Sequence, residues 1–138
     1  VQVRNNKSPT EEGSKAHAEK MELEEHAIQF ILEEEPDLQR TGVNNPGFDL
    51  VEKDANGREL RWVEVKAITG RFDKGKWVGL SSKQFETADY RGEDYWLYVV
   101  EHAETSERAK IIRIQDPAGQ ARTFVFDHGW RKLDRELS

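Results

Sequence analysis

The sequence predicts an α/β domain in which a mixed central β-sheet is flanked by helices. Three observations point there. A long stretch of helical periodicity stops at Pro36, two β-rich runs are joined by Asn56-Gly57, and a capped helical segment precedes a further series of strands. Elements in this order bury one another's apolar faces in layers.

Residues 1–14 are polar, contain Pro9 and Gly13, and read as a flexible N-terminal tail, leaving 15–138 as a single domain. Over 15–35, Leu23, Ala27, Phe30 and Ile31 recur at spacings of three and four, with Met21 and Ile28 widening the stripe. Glu33, Glu34 and Glu35 crowd the end of this helix, where its dipole disfavours them, and Pro36 ends it. A loop over 42–47 leads into a strand at Phe48-Asp49-Leu50-Val51. Asn56-Gly57, a strong hairpin signal, then turns the chain into a strand over 60–68 that holds Trp62, Val63 and Val65. A charged loop over 70–76 precedes a short strand at 77–80, with Trp77 expected in a partly buried core position. Ser81 and Gln84 have the spacing of a capping box for a helix over 82–90. Strands follow at 95–101, 110–114 and 123–126, with Asp116-Pro117-Ala118-Gly119 as a turn and a charged segment over 128–137.

Composition narrows the function classes. The chain has 138 residues, enough for one good core, and no Cys, which removes disulfides, thiolate metal sites and Cys nucleophiles. The four His show no metal-ligand spacing, and the glycines around Gly75 lack the ending of a phosphate-binding loop. There is no signal-like or membrane-length apolar run, so a cytoplasmic protein without membrane attachment is expected. The missing initiator Met reads as an excised or processed segment. Net charge is −6, but it is unevenly spread. Ten acidic residues and two lysines lie between Glu11 and Asp37, whereas five basic residues and one Asp lie between Lys66 and Lys83. The middle of the chain therefore carries a basic strip.

The segment Trp62-Val63-Glu64-Val65-Lys66 is the informative one. Strand alternation puts Glu64 and Lys66 on one face with Trp62, while Val63 and Val65 point the other way. A two-residue loop at Asn56-Gly57 sets Ala55 opposite Arg58 and, counting back along both strands, Asp49 opposite Glu64. A four-residue loop shifts the register by two and leaves the pair diagonal but still on one face. Adjacent carboxylates repel unless a cation joins them, and Mg²⁺ is commonly held by one or two carboxylates plus water and substrate phosphate. Asp49 and Glu64 are thus candidate metal ligands, with Lys66 beside them to assist an attacking water or offset developing charge. The competing reading is a solvated stripe, Glu64 paired with Lys66 and Asp49 with a nearby Arg.

The strings GFDL and NGRELRWVEVKAITG resemble the PD-(D/E)xK nuclease superfamily, whose Asp lies on one strand and whose acidic-x-Lys motif lies on the next. The motif's Pro-Asp is relaxed here to Gly47-Phe48-Asp49. An acidic amphipathic helix followed by GFDL, WVEVKA, VGLSSKQFETA and YWLYVVE more closely resembles the C-terminal domain of NO VEIN-type proteins, over roughly 20–132. This resemblance implies a restriction-endonuclease-like core and a Mg²⁺-dependent DNA endonuclease, with Mn²⁺ as a substitute ion. It also implies a place in restriction, DNA-defence or repair systems, beside a helicase or ATPase, and a homodimer where both strands are cut. Mrr-like relatives often add a Glu from the first helix. Glu24, on the core-facing stripe, is the candidate here and Glu25 the runner-up. Gln84 corresponds to a polar residue on the helix after the lysine strand, and the Val65 carbonyl lies between the motif residues as a further possible ligand.

Arg71, Lys74, Lys76 and Lys83 follow the motif and are the expected phosphate contacts. The alternative function is a catalytically weak or inactive nuclease-like module that binds DNA or a partner protein.

Overall fold

The computed structural model describes residues 9–42, 45–73 and 77–121. Helix α1 spans Pro9–Glu34, β1 Leu38–Arg40, β2 Leu50–Lys53, β3 Glu59–Ala67, α2 Ser82–Arg91, β4 Tyr95–Glu101, β5 Lys110–Gln115 and the short α3 Pro117–Gln120. The strands form one mixed sheet in the order β1-β2-β3-β4-β5. Among the described residues only β3 and β4 run parallel, joined by the crossover through α2; the other neighbours are antiparallel. The α/β class and the mixed sheet flanked by helices match the expectation.

Helix α1 begins earlier than its apolar stripe does. Pro9 takes the first helical position, where a missing N–H costs nothing. Residues 13–20 are exposed throughout, so hydrophobic periodicity gives no signal there. The expected tail therefore shrinks by residues 9–14, and residues 1–8 lie outside the described structure. Two arginines resolve the acidic C-terminus: Glu35 accepts from Arg61 and Arg113, at 2.7 and 2.8 Å.

The hairpin differs from the expected two-residue loop. Asp54 donates its amide to the Arg58 carbonyl and accepts from the Gly57 amide, with Gly57 at φ 83°. This is a three-residue loop with glycine in the left-handed position. It pairs Lys53 with Glu59, one residue out of the counted register. Such a slip alone moves every side chain to the wrong face. A bulge at Leu60 absorbs it, so Glu52 faces Arg61, Val51 faces Trp62 and Leu50 faces Val63.

Two cores follow from the alternation. Ala27 and Ile31 of α1 pack on one sheet face with Leu50, Val63, Val65, Tyr98 and Val100. On the other face, Phe48, Val51 and Tyr95 pack with Ala88 of α2, and Trp62 flanks them. Glu64 and Lys66 alternate with Val63 and Val65, and so face α2.

Two further corrections concern short segments. Residues 77–80 form no strand, and Trp77 is 77% exposed rather than in the core. Strand composition there finds no neighbour with which to pair among the described residues. Conversely, β1 went unanticipated: it has three residues and buries only Leu38. The expected strand at 123–126 lies outside the described residues. No helix among the described residues is long and apolar enough to cross a membrane.

Candidate functional site

The Asp49 side chain is set by its backbone. The Asp49 amide donates to the Val63 carbonyl at 2.9 Å, extending the β2–β3 ladder by one step. Thr41 holds the other side: its amide donates to the Asp49 carbonyl, and its hydroxyl contacts the carbonyls of Phe48 and Asp49. Upstream, Asn45 Oδ1 accepts the Gly47 and Phe48 amides, an Asx-type turn. The Tyr95 hydroxyl donates to the Gly47 carbonyl at 2.6 Å. Phe48 stacks on Trp62 with centroids 4.2 Å apart.

Beyond the end of the ladder, the Asp49 carboxylate takes over its work. Oδ2 accepts the Val65 amide at 2.8 Å. A strand residue's N–H and C=O point to the same side, so the Val65 carbonyl is also directed toward Asp49.

Glu64 is 3% exposed. The Asp49 carboxylate is its close electrostatic neighbour. Lys66 Nζ lies 3.4 Å from Glu64 Oε2. Gln84 completes the group: Nε2 donates to Glu64 Oε2 at 2.9 Å, and Oε1 accepts from Lys66 Nζ at 3.1 Å. The same Oε1 accepts the Ser81 amide at 2.9 Å, while Ser81 Oγ accepts the Gln84 amide, so the capping box is present too. Gln84 therefore both fixes the start of α2 and ties it to β3.

The electrostatics follow from burial. Desolvation and the neighbouring Asp49 charge push Glu64 up to about 8, against the pull of Lys66. Desolvation also raises Asp49, opposed by the Val65 amide, the adjoining Glu64 carboxyl group and the Lys66 charge. Both shifts run the same way, because two buried carboxylates side by side disfavour each other's charge. Burial raises the Tyr95 phenol as well, reinforced by the charges of Glu64 and Asp49.

The structure thus brings together Asp49, Glu64, Lys66 and Gln84, from β3, α2 and the residue preceding β2. They lie toward the carboxyl end of the parallel strand β3, where open α/β sheets usually place their ligands. It does not bring Glu24 to them. The apolar stripe of α1 packs on the opposite sheet face, and no group of three acidic or histidine side chains suited to a metal forms among the described residues. Glu25 instead pairs with Arg40. Arg71 is exposed in the loop after β3 and Lys83 lies in the first turn of α2, while Lys74 and Lys76 fall outside the described residues.

Thr41, Asn45 and Tyr95 escaped the sequence reading as positioning residues. Asn45, two residues before Gly47, carried a legible signal, the spacing of an Asx turn. Thr41 and Tyr95 carried none, because each acts across the fold on a distant backbone carbonyl.

A family model described as Protein NO VEIN, C-terminal, matches residues 16–114. Compared with curated proteins and with solved structures, the chain finds no match.

Proposed function

The chain belongs to the NO VEIN C-terminal family, and on that footing we propose that it is a nuclease-like module of the PD-(D/E)xK type. In this reading it binds DNA at a divalent-cation site and hydrolyses phosphodiesters slowly on its own. One observation carries the reading: Glu64, Lys66 and Gln84 form one hydrogen-bonded cluster, with the Asp49 carboxylate as the electrostatic neighbour of Glu64. A solvated stripe does not explain a glutamate that is buried against a second carboxyl group.

The donor set suits a hard cation. Asp49, Glu64 and the Val65 carbonyl supply oxygen, the atom type that Mg²⁺ and Mn²⁺ prefer. When bound, such an ion neutralises phosphate charge and lowers the pKa of a water. Asp49 and Glu64 would hold the ion, and its binding would release the proton of Glu64 to solvent. Lys66, steadied by Gln84 and still partly exposed, presents its ammonium to the charge that develops on the phosphoryl oxygens. Hydrolysis joins the water oxygen to phosphorus, breaks one phosphorus–ester oxygen bond and leaves the proton on the departing alkoxide. Lys83 and Arg71 contact neighbouring phosphates. A helicase or ATPase in the same system would supply most of the grip on DNA, and a second copy the second cut.

A second reading, an inactive binding module for DNA or a partner protein, has its own support. Two carboxylates without a third acidic or histidine neighbour among the described residues make a thin metal site. Calorimetry with Mn²⁺ on wild type and Asp49→Ala, with and without DNA, separates the two, together with plasmid cleavage by wild type and Lys66→Ala. The first reading expects metal uptake that DNA strengthens, and slow nicking that Lys66→Ala removes. No uptake by the wild type in either condition leaves the binding module.

A further inference from the structure

A groove of about 300 Å³ opens beside the cluster, between the 45–48 loop and α2. Its helix wall is one stripe: Lys83, Glu86, Thr87 and Tyr90 recur at i, i+3, i+4 and i+7. Its other wall is Phe48 and Trp62. Trp62 is held on both sides, stacked on Phe48 and lying 4.5 Å from the Arg91 guanidinium carbon. That wall is therefore rigid. Tyr90 forms the lip, with 83% of its surface exposed.

The groove is continuous with the cluster along the chain. Phe48 precedes Asp49, Lys83 precedes Gln84, and Trp62 stands two residues before Glu64 on the same strand face. Two residues of strand span about 7 Å, which is about two base steps of a stacked strand. The exposed Tyr90 ring at the lip, an apolar wall, the Glu86 carboxylate that can accept from amino or imino groups and Lys83 make up the chemistry of a nucleobase with its phosphate. A paired base presents no π-face to such a groove, because its faces are covered by its neighbours in the stack.

Building on the reading of the cluster as a phosphodiester site, we propose that this groove seats an unpaired nucleobase of the strand whose phosphate lies at Asp49 and Glu64. The substrate class is then DNA with single-stranded, bulged or flipped nucleotides, rather than regular duplex.

The test is fluorescence anisotropy in Ca²⁺, with a labelled single-stranded oligodeoxynucleotide, its blunt duplex and the same duplex carrying one unpaired nucleotide. The expected result is about tenfold tighter binding of the first and third DNAs than of the blunt duplex. Tyr90→Ala, at an exposed position, should erase that preference, and Tyr90→Phe should keep it. Equal binding of all three DNAs, or a preference that survives Tyr90→Ala, overturns the groove. The phosphodiester site still stands in that case if binding depends on the ion and weakens in Asp49→Asn. Failure to bind any of the three DNAs overturns both.

Discussion

Gln84 donates from Nε2 to Oε2 of Glu64 at 2.9 Å, while its own Oε1 receives the Ser81 amide of the α2 cap. A helix start and a buried carboxyl group are thereby joined through one side chain. Gln84→Ala should lose its half of the capping box, at up to about 1 kcal/mol, together with the tie to β3, while Ser81 Oγ keeps the residue-84 amide. Gln84→Glu keeps an oxygen for the Ser81 amide and places a third carboxylate beside Asp49 and Glu64. Thermal unfolding should show Gln84→Glu destabilised without metal, and calorimetry should show it binding Mn²⁺ more tightly than wild type. Weaker Mn²⁺ binding by Gln84→Glu would count against an ion at this position.

Glu64 titrates near 8 in the folded protein, against 4.5 as its ordinary value. Between those values the native state holds a proton that the unfolded chain has released. The contribution of Glu64 to stability is therefore greatest below that window and falls as pH rises through it. The loss is on the order of a few kcal/mol in metal-free protein. Urea midpoints at the two ends of the window should differ for wild type and converge for Glu64→Gln. The same proton competes with a cation, so Mn²⁺ affinity should climb about tenfold per pH unit below Glu64's value and level off above it. A flat profile would remove Glu64 from the ligand set.

The legibility of the site turned on the face that each residue takes. Counting back from Asn56-Gly57 put Asp49 and Glu64 together, although the turn that forms there is one residue longer than assumed. The bulge at Leu60 cancels that error, and nothing in the residue itself announces it. Alternation along Trp62-Val63-Glu64-Val65-Lys66 was decisive because one face is packed by α1 and the other by α2. Periodicity on a single helix was a poorer guide for Glu24. It set Glu24 on the core-facing stripe, but not which sheet face that stripe covers. Strand β1 and the exposed Trp77 show the same limit: pairing and burial depend on partners elsewhere in the chain.

A side chain at Gly47 has no room. A Cβ there would stand 2.7 Å from Thr87 Oγ1 and 3.1 Å from its Cγ2. Gly47→Ala should push the loop off α2, strain the Tyr95 hydrogen bond to the Gly47 carbonyl and shift Asp49 two residues on. The expected cost is about 1–3 kcal/mol, with a matching loss of Mn²⁺ binding. Thr87→Ala removes the two nearest atoms and should restore much of both in the double variant. Failure of that rescue in denaturation curves would locate the effect in the backbone of residue 47 instead.

Arg61 supplies a control on the opposite face. Its guanidinium donates to Glu35, Glu52 and the Tyr98 hydroxyl, tying the end of α1 to three strands. Arg61→Ala leaves two half-buried carboxylates and a phenol facing one another, with Arg113 alone to offset Glu35. Removing one partner from a semi-buried network of this kind costs about 2–4 kcal/mol, because the remaining charges lose their compensation. The fall should appear in urea midpoints. Metal uptake by the folded fraction should be unchanged, since the whole thickness of the sheet separates this network from Glu64. Replacing Glu35 as well, by Gln, should recover part of the loss, because it removes one of the charges left uncompensated. A double variant no better than Arg61→Ala would instead assign the cost to lost packing of the arginine stem against Trp96 and Tyr98.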